Sequence, residues 1–113
     1  MSIERLKTRA EFLRCARGPK AALPSLVLQS FRHDDKKRIG VGFTASKRVG
    51  GAVVRNRAKR RLREAIRLIA PTWARAGHDY VVIARTTTPF VPFDRILADL
   101  SSAFGQVAKG KRA

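Results

Sequence analysis

Along the chain, apolar positions recur first at helical spacing, then at strand spacing, then at helical spacing again, with glycine, proline or charged breaks between. Thr8-Arg9-Ala10-Glu11 has the form of a capping box, with Thr8 as N-cap and Glu11 at the third helical position. The helix it opens carries Phe12, Leu13 and Ala16, and Gly18-Pro19 stops it. Residues 21–24 form a connector with room for a short edge strand. Residues 25–33 are rich in Leu, Val and Phe and predict a strand, with Leu26 and Leu28 on one face and Val27, Gln29 and Phe31 on the other. The polar run Asp34-Asp35-Lys36-Lys37 predicts a turn, and hence a hairpin to the next strand. In that strand, residues 38–46, Ile39, Val41, Phe43 and Ala45 alternate with Gly40, Gly42, Thr44 and Ser46. Two glycines on one strand face weaken it unless something approaches closely, either a crossing helix or a ligand backbone.

A long helix follows Gly50-Gly51 and ends near Ala70-Pro71. At 100° per residue Val54, Ala58, Leu62, Ala65 and Ile69 form one narrow apolar stripe, and Asn56, Lys59, Arg60, Arg63 and Arg67 fall opposite. Trp73 falls in the next connector, as a packing anchor or a stacking surface. The apolar, β-branched run of residues 80–85 predicts a central strand, and strand, long helix, strand predicts a parallel pairing. Pro92 opens a last helix with Ile96, Leu97, Leu100, Ala103, Phe104 and Val107 at helical spacing. The expected order is α-β-β-β-α-β-α in one α+β domain over residues 1–113, an α/β two-layer sandwich with one mixed sheet. A basic arm (1–7) and a basic tail (109–113) are expected to be flexible.

Charge changes the picture. The chain has 113 residues and a net charge of +17, which strongly attracts polyanions. Residues 47–67 alone hold nine of the 25 basic residues against one acid, Glu64. The first turns of a helix expose unpaired N–H groups and favour acids. Here Arg55 and Arg57 stand in that place, followed by Lys59, Arg60 and Arg61. An ordinary solvated helix face mixes signs at i,i+4, so this face is expected to bind an anion. No apolar run approaches the roughly 20 residues of a membrane span, and the single Cys15 suits a reducing compartment. A cytoplasmic protein is expected, with no membrane and no small-molecule substrate.

The ordered set Arg55-Asn56-Arg57, Lys59-Arg60 and Arg63, preceded by Ser46-Lys47-Arg48-Val49-Gly50, resembles the RNR signature of the bacterial ribonuclease P protein subunit, and the element order is similar over nearly the whole chain. The resemblance implies a ribosomal-protein-like fold with a left-handed crossover through the basic helix. It implies that Lys47, Arg48, Arg55, Asn56, Arg57, Lys59, Arg60, Arg63 and Arg67 bind a catalytic RNA. It further implies a cleft at Phe12, Val27 and Gln29 for the single-stranded 5′ leader of precursor tRNA, with catalysis and Mg²⁺ residing in the RNA. The chain departs from the family at Ala16 and Gln29, where further aromatic residues are usual, so the stacking platform is reduced.

The chemistry missing from the chain points the same way. A protein nuclease needs clustered acids for metals or a histidine acid–base pair. The eight acids are scattered: Asp34 and Asp35 lie in a turn, and Asp94 and Asp99 are five apart on a helix. His33 and His78 are read as surface residues, and neither CxxC, P-loop nor GxGxxG occurs. No catalytic or metal-binding residue is expected in the protein. The competing readings are a ribosomal or RNA-chaperone protein, and a peripheral membrane binder. The latter would need bulky apolar residues facing lipid, whereas this helix has mostly small ones directed to a core.

Overall fold

The computed structural model describes residues 2–110. Met1 and the Lys111-Arg112-Ala113 end of the expected tail lie outside the described residues. In chain order the elements are β1 (Ser2–Arg5), α1 (Arg9–Arg17), β2 (Lys20–Leu23), β3 (Leu26–Arg32), β4 (Arg38–Thr44), a 3-10 turn (Lys47–Val49), α2 (Ala52–Trp73), β5 (His78–Ala84) and α3 (Phe93–Ala108). They build one mixed five-stranded sheet in the order β1-β4-β5-β3-β2. β1, β4 and β5 run parallel, and β3 is antiparallel to both β5 and β2.

Alternation along the strands sorts the two faces. Leu26, Leu28, Ile39, Val41, Tyr80, Val82 and Ala84 point to the main core, closed by Ala58, Leu62, Ala65 and Ile66 of α2 and by Ile96, Leu100, Ala103 and Phe104 of α3. The opposite face carries a smaller core of Leu6, Cys15 and Val81, against which Phe12, Phe31 and Ile83 pack. α1 lies there, opened by the expected capping box: the Thr8 hydroxyl accepts from the Glu11 N–H and the Glu11 carboxylate accepts from the Thr8 N–H at 2.8 Å. The glycines of β4 meet this layer. A Cβ on Gly42 would stand 2.5 Å from the Phe12 ring, and one on Gly40 2.1 Å from the Asp79 carboxylate. The close approach anticipated at these glycines is thus a crossing helix and a buried acid.

Several expectations need correction. Residues 34–37 do not close a hairpin: β5 lies between β3 and β4, paired Leu28↔Val82 and Phe43↔Val82 with the two. Five of the seven residues of β5 are buried, and a strand buried on both faces belongs in the middle of a sheet. The N-terminal arm is not loose. Backbone pairing Ile3↔Ile39 and Arg5↔Val41 makes it an edge strand, which needs little from its side chains, and the buried Leu6 anchors its end. α2 runs through Pro71 to Trp73; in the last turn the missing proline N–H forfeits a single bond. Trp73 is 44% exposed and rests beside Gly105 of α3. The buried side of α2 is centred on Ala58, Leu62, Ala65, Ile66 and Ala70, with Val54 and Ile69 at its margin.

Candidate nucleic-acid interface

The start of α2 is built to stay electropositive. Gly51 is its N-cap and offers no side chain to the free N–H groups, and the first turn holds no acid. Gly50 turns the chain into the helix with φ 148°, where a Cβ would also press on the Val54 side chain at 2.9 Å. Lys47, Arg48, Asn56, Arg57, Arg60, Arg63 and Arg67 are exposed, and Lys59 and Arg55 are half-buried. The Nε of Arg55 is buried with no hydrogen-bond partner. Glu64 is engaged by Arg67, whose Nε donates to both carboxylate oxygens at 3.0 and 3.1 Å, and that bond holds the Glu64 carboxyl below its ordinary range. Arg61 is a different kind of residue. Its guanidinium turns away from the charged face and donates to the carbonyls of Thr88, at 2.6 Å, and Val91. Burial, then the charge of Arg57, lowers its pKa.

Beside this face lies a notch in the sheet edge. β1 pairs with β4 only as far as Val41, whose carbonyl accepts from the Leu6 N–H at 3.0 Å. From Gly42 to Thr44, β4 has β5 on one side and, among the described residues, no strand on the other. The gap lets the two sides of the sheet communicate. A groove of about 300 Å³ passes through it, lined by Leu6, Phe12 and Gly42 from the α1 side and by Phe43, Lys59 and Arg63 from the α2 side, with Arg5 at the rim. Phe12 thus shares a groove with two cations of α2. Val27 and Gln29 do not line it: they lie on β3, across β5, where Val27 is half-buried and Gln29 only 8% exposed.

Several titratable groups elsewhere are withdrawn from solvent. The two histidines are half-buried rather than fully at the surface. The His33 Nε2 is 3.4 Å from Asp79, and its Nδ1 accepts from the Asp35 N–H, while His78 stacks on Tyr80. Asp79 is fully buried and bound by Arg38 at 3.2 Å. Asp99, also buried, accepts from the N–H and hydroxyl of Ser25 and fastens α3 to the start of β3. Burial pushes the Cys15 thiol up to about 12, so it stays protonated at neutral pH. Among the described residues no three His, Cys, Asp or Glu side chains stand together as metal ligands, and no helix is long and apolar enough to cross a membrane.

A family model described as Ribonuclease P matches residues 2–108. The chain belongs to the ribonuclease P protein family. The ribonuclease P protein component of Caulobacter vibrioides is 47% identical over 109 residues, covering 96% of this chain and 73% of that one. Its counterpart in Ruegeria pomeroyi is 48% identical over 101 residues, 87% and 81% of the two chains. Among solved structures, the Staphylococcus aureus RNase P protein superposes with a TM-score of 0.76 at 28% identity over 94% of this chain and 95% of that one. The Thermotoga maritima protein gives 0.74 at 25% over 87% and 92%.

Within the ribonuclease P fold, Asn56, Arg57, Arg60, Arg63 and Arg67 lie exposed on α2, and of Phe12, Val27 and Gln29 only Phe12 lines the groove. Sequence reading missed Arg5 and Phe43. The alternation Ile3-Glu4-Arg5 was the available signal for Arg5, but four residues next to a terminus are too few to separate a strand from a loose arm.

Proposed function

We propose that this chain, as the protein subunit of ribonuclease P, grips the catalytic RNA with the exposed face of α2 and holds the 5′ leader of precursor tRNA in the Phe12 groove. The observation that carries the reading is the notch, which puts the rings of Phe12 and Phe43 and the cations Lys59, Arg63 and Arg5 around a single open channel. A single strand is held by such a combination of basic groove and stacking ring, and mature tRNA lacks the 5′ leader that would lie there. The protein's own residues bind and orient. Lys59 and Arg63 take phosphates, Phe12 offers a face to a base, and the N–H groups above Gly51 add a fixed positive end. Among the described residues no cluster of ligating side chains suits a protein-held Mg²⁺, and this reading assigns the metal and catalysis to the RNA. The setting is the cytoplasm.

The test measures affinity for the catalytic RNA against salt. Arg60→Ala or Arg63→Ala should lower affinity, cost about 1 kcal/mol, and flatten the log–log salt slope by about one unit with the fold intact. An unchanged slope in both variants would sink the assignment.

A further inference from the structure

On the α2 side of the sheet the groove does not end at the notch. It opens into a second, largely apolar compartment of about 430 Å³ between β1 and α2. Ile3, Phe43 and Ile66 form its floor and walls, and Arg5, Arg63 and Arg67 stand around it, against one acid, Glu4. Arg5, Val41, Phe43 and Arg63 line both cavities, so the two adjoin at the notch. The compartment exists because β1 extends the sheet beyond the cover of α2. Ile3 is left 47% exposed on an edge strand, a poor place for an isoleucine unless something covers it.

The chemistry of the compartment selects its occupant. Its apolar walls suit a flat, uncharged face, and its cationic surround suits a phosphate attached to that face. Together they describe one unpaired nucleotide, base inside and phosphate outside. Building on the proposed leader groove, we propose that this compartment takes a further base of the leader, next along the strand from those at Phe12, so that the leader threads the notch from the α1 side to the α2 side. The charge complementarity and the continuity with the Phe12 groove both favour a nucleic-acid strand over a second copy of this highly cationic chain.

The experiment uses the holoenzyme and precursor tRNAs in which each leader base in turn is replaced by an abasic site. With the unaltered protein, two groups of sensitive positions are expected. One group loses its sensitivity in Phe12→Ala. A separate position, further along, weakens binding about tenfold when its base is removed, and loses that sensitivity in Ile3→Ala. Ile3 is half exposed, so this variant should keep its melting temperature, and affinity for mature tRNA should not move. If the abasic scan of the unaltered holoenzyme shows no position beyond the Phe12 group, the inference is overturned while precursor preference, and with it the leader groove, still stands. Loss of affinity for precursor and mature tRNA alike in Ile3→Ala would place a different part of the RNA there and also overturn it. So would a dimer in sedimentation that Ile3→Ala dissociates. If the unaltered holoenzyme shows no preference for precursor at all, it is the leader groove that fails.

Discussion

Single residues divide the basic helix into two kinds of arginine, which composition cannot distinguish. Arg60 faces solvent, whereas Arg61, its neighbour, is tied to the carbonyls of Thr88 and Val91. Arg61→Met should leave those two carbonyls without their donor and cost about 1–3 kcal/mol of stability. Unlike Arg60→Ala it should leave the salt slope of RNA binding unchanged; melting curves and a salt titration on the same two variants separate the roles. Gly42 is the other telling residue. Its missing side chain is the space filled by the Phe12 ring, so Gly42→Ala must push that ring aside, at about 1–3 kcal/mol for overpacking. Thermal unfolding of Gly42→Ala and its precursor affinity should fall together, because the displaced ring is also a wall of the groove.

At the scale of elements, α1 positions Phe12 and is itself held by its first turn. The Glu11 carboxylate accepts from the N–H groups of Lys7 and Thr8, which lower its pKa below the ordinary 4.5, the Lys7 bond most. A depressed carboxyl stabilises the fold at pH above its unfolded value, and the contribution is lost as pH falls through the folded value. Stability should therefore decline below about pH 4.5 in a way that Glu11→Gln removes, with the variant itself about 1 kcal/mol less stable at neutral pH. Denaturant midpoints across pH check both. This capping box was legible in the sequence because it is purely local, as were the α2 stripe and the apolar run of β5. The pairing partners were not. The chain from β3 into β4 looks like a hairpin because the turn residues and the alternation are local, while the placement of β5 between the strands is fixed by the return of α2 across the sheet. For the same reason the groove could be anticipated only in part. Phe12 was legible as a cleft residue and Lys59 and Arg63 as cations of the basic helix, but the notch that joins them depends on where β1 stops, and Val27 and Gln29 are separated from it by the intervening β5.

For the whole molecule the dominant fact is +17 on 113 residues, with the cations of α2 crowded along one face and a single local acid, Glu64, already taken by Arg67. Self-repulsion lowers the stability of the free protein, and bound anions relieve it. Sulfate or phosphate should raise the melting temperature more than chloride at equal ionic strength, because oxyanions occupy the helix start and its arginines rather than merely screening them. Equal effects of sulfate and chloride would exclude specific anion sites. The same ions should compete with RNA for the α2 face.

The position of β5 bears on how the chain is made. During synthesis β3 and β4 emerge in succession, joined by the short polar stretch before Arg38, and the strand that separates them in the finished sheet arrives only after all of α2. Until then β3 and β4 are each other's nearest open edges, and closing so short a loop costs little entropy. The local hairpin is therefore the cheapest pairing open to β4 in the unfinished polypeptide, and completing the sheet means undoing it. The late arrival of the central strand makes the last third of the chain the arbiter of the fold, and a ribosome paused within α2 holds a nascent protein in which the most accessible partner of β4 is the wrong one.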